Sequence, residues 1–374
     1  MKREKILIIL FTASLVLPNL IYAAFYSHFD TENKENRELA EFPRVSLDTL
    51  EQFPAEFEEY YNDHMPFKNY FVSLSNAIDT IFFQNTKIGD VVIGEDNWLF
   101  YLTEREGENA MADYRRTNVY SEEECAEIAG RMEKVRDYLL GERVETFCCY
   151  VAPCKETIYP QYMPDKPEVT GDGLSRMESF AAYMEQNSDV QFRYLADDLG
   201  RYSRDYQIFC KYDTHMNKIG AFLTSQIMSG DLTGESTDIT EVKVIQGDAY
   251  NGDLARMIGR ETELTDDTEY KIKGYCKGVK YKLVREDSQN GEEIFREYTS
   301  NSENDRTLLV VGDSYRLKLE GFLAKRYSRA VFVRIDDFTP EILEEYRPQD
   351  VAVITVERDQ RYMENLDRYF GIAQ

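Results

Sequence analysis

The stretch that most constrains the fold of this 374-residue chain comes late, at Arg306-Thr-Leu-Leu-Val-Val-Gly-Asp-Ser-Tyr315. Leu308 to Val311 form an apolar run with the length and composition of a buried strand. Gly312-Asp313-Ser314 breaks the run, and apolar residues return at helical spacing from Leu317 to Lys325. Such a segment sets its serine where a parallel strand hands over to a helix. That point lies at the carboxyl edge of an open α/β sheet, where these sheets bind ligands. N–H groups at the helix start can stabilise an oxyanion beside the hydroxyl.

The rest of the chain fits that frame. Val144 to Val151 reads as a central strand, and further strands are predicted near Val190–Leu195, Leu308–Val311, Ala330–Ile335 and Val351–Val356. Between them lie helices from Ser121, whose Ser-Glu-Glu-Glu start has capping-box form, near Leu174–Glu185, and after Met216. This alternation predicts an α/β, doubly wound parallel sheet with helices on both faces. Val242–Ile245, Tyr270–Lys273 and Tyr281–Val284 alternate instead like antiparallel strands, which predicts a β-rich insertion at about 235–300.

A serine needs a base to become a nucleophile. There are only three histidines, His28, His64 and His215. His215 stands in Lys211-Tyr-Asp-Thr-His-Met-Asn217, directly before an apolar helix. Asp213 could accept from one imidazole nitrogen and leave the other to take the serine proton, giving a Ser314–His215–Asp213 triad. The bland alternative is that Asp213 or Thr214 caps the helix that follows. His64 sits in a polar-aromatic helical stretch and reads as a structural contact.

Lys2, Arg3 and Lys5 precede an uncharged run from Ile6 to Tyr26. Roughly twenty residues at a rise of about 1.5 Å span a hydrocarbon core ~30 Å thick, and the basic end stays cytoplasmic. The run reads as a signal anchor; a signal peptide cleaved near Ala23-Ala24 is the other reading. Either way the globular part is exported. Residues 30–45 read as a polar linker, and Leu47 to Phe83 as helical pieces broken at Pro54 and Pro66. Val91 to Tyr101 reads as a hairpin around Gly-Glu-Asp-Asn, with Trp98 in the core. These readings divide the chain into an anchor at 1–27, a helical and hairpin region at 28–104, and a catalytic domain at 105–374.

The formal net charge of −25 repels polyanions and excludes nucleic acid as a partner. Six cysteines (Cys125, Cys148, Cys149, Cys154, Cys210 and Cys276) show no disulfide framework and read as free thiols, with Cys148 and Cys149 on opposite faces of a strand. One usable histidine and scattered carboxylates predict no metal cluster, and no cofactor is implied. Three further positions are candidates for substrate or oxyanion contact. Lys155, beside a strand end, could hold the acyl oxygen or be an ordinary surface lysine. Asn251 could be an oxyanion donor or simply part of an Asn-Gly turn. Arg316 could line the groove or be a solvated helix arginine. Asp313 reads as ordering the turn.

Taken together, the chain resembles the DHHW family, related to the SGNH-hydrolase-like O-acetyltransferases of bacterial alginate acetylation. The resemblance rests on eight stretches in family order. They are Glu35–Pro43, Phe57–Asn69, Val92–Tyr101, Val151–Pro160, Tyr212–Asn217, Gly252–Met257, Val311–Ser314 and Glu357-Arg358. The family's order, Asp-x-His before Gly-Asp-Ser, is kept. The resemblance implies an SGNH-hydrolase-like fold, Ser314 as acyl-accepting nucleophile, His215 as base and Asp213 as its orienter. It also implies a polysaccharide acceptor and a membrane-bound O-acyltransferase that delivers the acetyl group. The same triad would serve a carbohydrate esterase, and a non-catalytic glycan-binding protein could retain the fold. Where the family usually has tryptophan after the histidine, this chain has Met216, which puts in doubt any wall that tryptophan supplies.

Overall fold

A computed structural model describes residues 2–29, 33–34, 39–45, 50, 52–78, 86–105, 108–164, 168–289 and 291–372. Leu47, Phe83 and residues 30–32 and 35–38 of the linker lie outside the described residues. Lys2–Phe25 forms one helix through Pro18. Among the described residues it is the one helix long and apolar enough to cross a membrane, over Lys5–Tyr22. The helices Phe53–Asp63 and Lys68–Ile78 follow, Pro54 sitting in the first turn of the former as expected for a residue with no N–H to place.

Strands β1 (Lys87–Ile88), β2 (Val91–Ile93) and β3 (Leu99–Tyr101) make a small antiparallel sheet, with β2 and β3 the expected hairpin. Trp98 is buried and stacks on Tyr162, ring centres 4.6 Å apart. The main sheet is built on β4 (Thr146–Ala152) and β5 (Gln191–Tyr194). Strands β6 (Lys243–Ala249) and β7 (Thr268–Lys273) pair with each other apart from it. β8 (Tyr281–Gln289), β9 (Glu292–Ser300), β10 (Thr307–Gly312), β11 (Arg329–Arg334) and β12 (Asp350–Val356) complete it. Its order is β5-β4-β12-β10-β11-β9-β8. The first five strands run parallel, and β9 and β8 join antiparallel.

The predicted insertion is therefore split. β6 and β7 form a separate ladder, while β8 and β9 extend the main sheet. The backbone of β11 would otherwise be an open edge, and β9 pairs with it from Arg329↔Thr299 to Val333↔Phe295.

Alternate residues feed two cores, as a sheet covered on both faces requires. Cys148, Tyr150, Leu308 and Val310 face one core with Phe222 and Leu319 from the helices Lys218–Thr233 and Tyr315–Leu323. Cys149, Val151, Leu309 and Val311 face the other with Met132 and Phe180 from the helices Glu122–Gly141 and Arg176–Asn187. Ser121 and Ser175 each close a capping box on those last two helices. All six cysteines are free, and only Cys276 is not fully buried.

Candidate active site

The nucleophile candidate stands where β10 ends. A Cβ on Gly312 would lie 2.2 Å from the Ile354 carbonyl oxygen, so only glycine lets β10 pass this close to β12 before turning. Asp313 orders the turn with both carboxylate oxygens. One accepts from the Tyr315 N–H at 2.8 Å and the other from the Val356 N–H at 2.7 Å. Ser314 follows, exposed, at the N-terminus of the helix Tyr315–Leu323.

The histidine arrives on a tight excursion. Phe209 and Met216 form an isolated bridge, with Cys210 N–H donating to the His215 carbonyl and Asn217 N–H to that of Ile208. Asn217, not Asp213 or Thr214, caps the next helix, accepting from Ile219 and Gly220. Asp213 is left for the imidazole. His215 Nδ1 lies 2.7 Å from Asp213 Oδ1, and Nε2 lies 2.9 Å from Ser314 Oγ. Two segments ninety-nine residues apart thus meet in nucleophile–base–orienter geometry. Tyr315 braces them, its hydroxyl donating to the Thr214 carbonyl at 2.8 Å.

Burial pushes the Asp213 carboxyl upward, but the hydrogen bond and charge of His215, with Lys318 nearby, more than reverse this and hold it well below the usual carboxylate range. Its second oxygen accepts from the Tyr250 hydroxyl at 2.9 Å and the Asp253 N–H at 3.2 Å. Asp253 in turn accepts from the Thr214 N–H at 2.8 Å and hydroxyl at 2.6 Å, and its carboxyl is raised by burial and by the charge of Asp213.

Tyr250 and Asp253 were not singled out from the sequence. They flank Asn251-Gly252, which drew notice as an Asn-Gly turn, as a possible oxyanion donor and as the start of the Gly252–Met257 stretch. Gly252 has its own reason: a Cβ there would lie 1.8 Å from the Tyr212 carbonyl oxygen. Asn251 itself is exposed on this loop.

Three sequence expectations are corrected. Lys155 is not a surface lysine. It is buried, and its ammonium donates to the Leu99 carbonyl at 2.7 Å and the Lys211 carbonyl at 3.1 Å, tying the β2–β3 hairpin to the histidine segment. Desolvation lowers its pKa to about 8. Arg316 is neither solvated nor in a groove. It is buried under the nucleophile turn and donates to the carbonyls of Asp313 and Glu293. The carboxylates are not scattered: Asp213, His215 and Asp253 bring three possible ligand atoms within 4.8 Å of one another. Each of those carboxylates already accepts protein donors, as an orienting network does.

Met216 is fully buried on the core side of its loop, with the Thr224 hydroxyl 3.5 Å from its sulfur, so the residue after the histidine packs inward here. His64 stacks on Tyr60 with ring centres 4.3 Å apart. At the end of β12, Glu357 accepts from Cys154 N–H, Thr157 and Tyr194, and Arg358 is buried against Cys154 and Glu108.

Residues 91–337, well over half of the chain, match the family model described as SGNH hydrolase-like domain, acetyltransferase AlgX. No curated protein sequence matches. Among solved structures, a DHHW family protein from Eubacterium siraeum aligns with a TM-score of 0.52 and 14% identity. That alignment covers 76% of this chain and 96% of that one, a likeness of fold. Bacillus cereus PatB1 with a sulfonyl adduct aligns at 0.49 and 13% identity, covering 72% and 96% of the two chains. The O-acetyltransferase domain of Pseudomonas putida AlgJ aligns at 0.45 and 19%, covering 73% and 92%.

Proposed function

The chain belongs to the AlgX family of SGNH hydrolase-like acetyltransferase domains, and from that membership we propose that it is an extracytoplasmic polysaccharide O-acetyltransferase working through a serine acyl-enzyme. The observation that carries this is the contact of His215 Nε2 with Ser314 Oγ at 2.9 Å, with Asp213 on the other imidazole nitrogen. In the first half-reaction Ser314 Oγ attacks the acetyl carbonyl. Its O–C bond forms, the donor's bond to the acetyl group breaks, and the serine proton passes through His215 to the leaving group. In the second half a sugar hydroxyl attacks the acyl-serine, His215 takes its proton, and Ser314 leaves and recovers that proton. The Ser314 N–H would be one oxyanion donor, the Tyr315 N–H being engaged by Asp313, and Asn251 stays a candidate for a second.

The N-terminal helix would hold the domain at the outer membrane face, beside a membrane-bound O-acyltransferase that brings acetyl groups across. Tethering raises the effective concentration of donor and acceptor machinery without new contacts. Ser314 is open to solvent, so water competes with the sugar, and a carbohydrate esterase is the second reading.

The test is incubation with p-nitrophenyl acetate and neutral oligosaccharides, following acetylated sugar and free acetate separately. Acetylated sugar that disappears in Ser314→Ala and His215→Ala supports the transferase. Acetate alone selects the esterase, and unchanged activity in Ser314→Ala overturns both.

A further inference from the structure

A second carboxylate stands behind the proposed triad. Asp253 Oδ2 lies 3.7 Å from His215 Nδ1, and the Thr214 hydroxyl is within hydrogen-bond distance of both. That hydroxyl lies 2.6 Å from Asp253 Oδ2, to which it donates, and 3.1 Å from His215 Nδ1. With its own proton committed to Asp253, the Thr214 oxygen faces the imidazole as an acceptor. Nδ1–H therefore has two acceptors, Asp213 Oδ1 and Thr214 Oγ1, and Asp253 holds both in place. It grips Thr214 by hydroxyl and N–H, and its own N–H donates to Asp213. Gly252, which no larger residue can replace without striking the Tyr212 carbonyl, brings it there.

We propose that Asp253 is a positioning residue for the reaction, acting through Thr214 to hold His215 with its proton on Nδ1 and to stabilise the imidazolium formed when Ser314 is deprotonated. The role rests on the serine mechanism proposed above and adds a fourth member to it. A neutral imidazole has two tautomers of similar energy, and only the one protonated on Nδ1 leaves Nε2 free to accept from Ser314. Asp213 alone presents one oxygen to that choice; the Asp253–Thr214 pair adds a second acceptor and a second negative charge near the ring. The other charged or titratable groups facing the imidazole are Tyr250 beside Asp213, Asp313 and Tyr315 around the nucleophile, and Lys318 further along its helix. Asp253→Asn leaves all of these unchanged.

The experiment uses the full chain and reads two things. One is the rate of covalent trapping of Ser314 by a serine-directed phosphonate, which needs no acceptor sugar. The other is kcat and KM for p-nitrophenyl acetate as a function of pH. Asp253→Asn is expected to lower the trapping rate and kcat about 10- to 100-fold, the scale on which outer orienting partners act elsewhere. KM should stay unchanged, and the acid limb of kcat should move to lower pH because the imidazolium has lost a nearby charge. Thr214→Val should lower kcat without moving that limb, since it removes the hydroxyl link and keeps the charge. Wild-type kcat and acid limb in a folded Asp253→Asn overturn the proposal. Should that variant fail to fold, wild-type kcat in a folded Thr214→Val overturns it instead. Activity surviving in Ser314→Ala would defeat the serine mechanism itself, an outcome distinct from either.

Discussion

Asp213 shows how a single side chain acquires its role. Its position two residues before a histidine was visible, yet the competing possibility of a helix cap was equally compatible with the local sequence. Asn217 removes that competition by taking the cap, because its side chain reaches both the Ile219 and Gly220 N–H groups. Asp213→Asn should leave the fold intact and lower the trapping rate of Ser314 by about 10⁴, the loss seen when the equivalent change is made in a serine protease triad. Rates within tenfold of wild type would show that Asp213 does not orient the base.

Glu156 carries a different prediction. Burial, and then the charge of Glu357, raise its carboxyl to about 8, so the folded protein keeps it protonated where the unfolded chain ionises near 4.5. The unfolded state then binds fewer protons across that window, and stability falls as pH rises from about 4.5 to 8. Glu156→Gln should flatten the fall, by up to a few kcal/mol at roughly 1.4 kcal/mol per pH unit, measured as Tm against pH. Lys155 and Arg316 were misread because a long cationic side chain looks the same in sequence whether it reaches water or a buried carbonyl.

At the scale of elements, the parallel strands were legible because four to seven apolar residues bounded by Gly or charge have few alternatives in an α/β chain. One helix was legible through its Ser-x-x-Glu start at Ser121, which closes as a capping box, as does Ser175 on the helix Arg176–Asn187, while Asn217 caps Lys218–Thr233. What could not be read was which strands pair. β8 and β9 have the same alternating character as β6 and β7, and only the open side of β11 decides that one pair joins the main sheet. The Tyr250–Asp253 segment was illegible for a related reason, since its value lies in meeting Tyr212 and Asp213 some forty residues away. Gly252→Ala tests that meeting. The added carbon would strike backbone rather than a movable side chain, so the two segments must part. A loss of about 1–3 kcal/mol in stability should accompany a large loss of Ser314 trapping. Gly89→Ala, where nothing lies within 4 Å, is the control for added bulk, its positive φ of 58° costing backbone strain alone.

For the whole molecule, the proposed division of labour is between an N-terminal helix that holds and an α/β body that reacts. Full-length protein should partition into the detergent phase. A variant lacking residues 1–27 should stay in the aqueous phase and still trap the phosphonate at Ser314. Aqueous partitioning of the intact chain would remove the anchor.

The position of β12 has a consequence for how such a body comes into being. Its residues 350–356 are the last strand in sequence, yet they lie in the middle of the sheet, between β4 and β10. Until they arrive, β4 and β5 stand with one flank bare, while β10 and β11 wait with no neighbour on the side of β10 that β12 will fill. A polypeptide leaving a ribosome therefore cannot lock this sheet, or the site seated on its rim, before residues 350–356 have emerged.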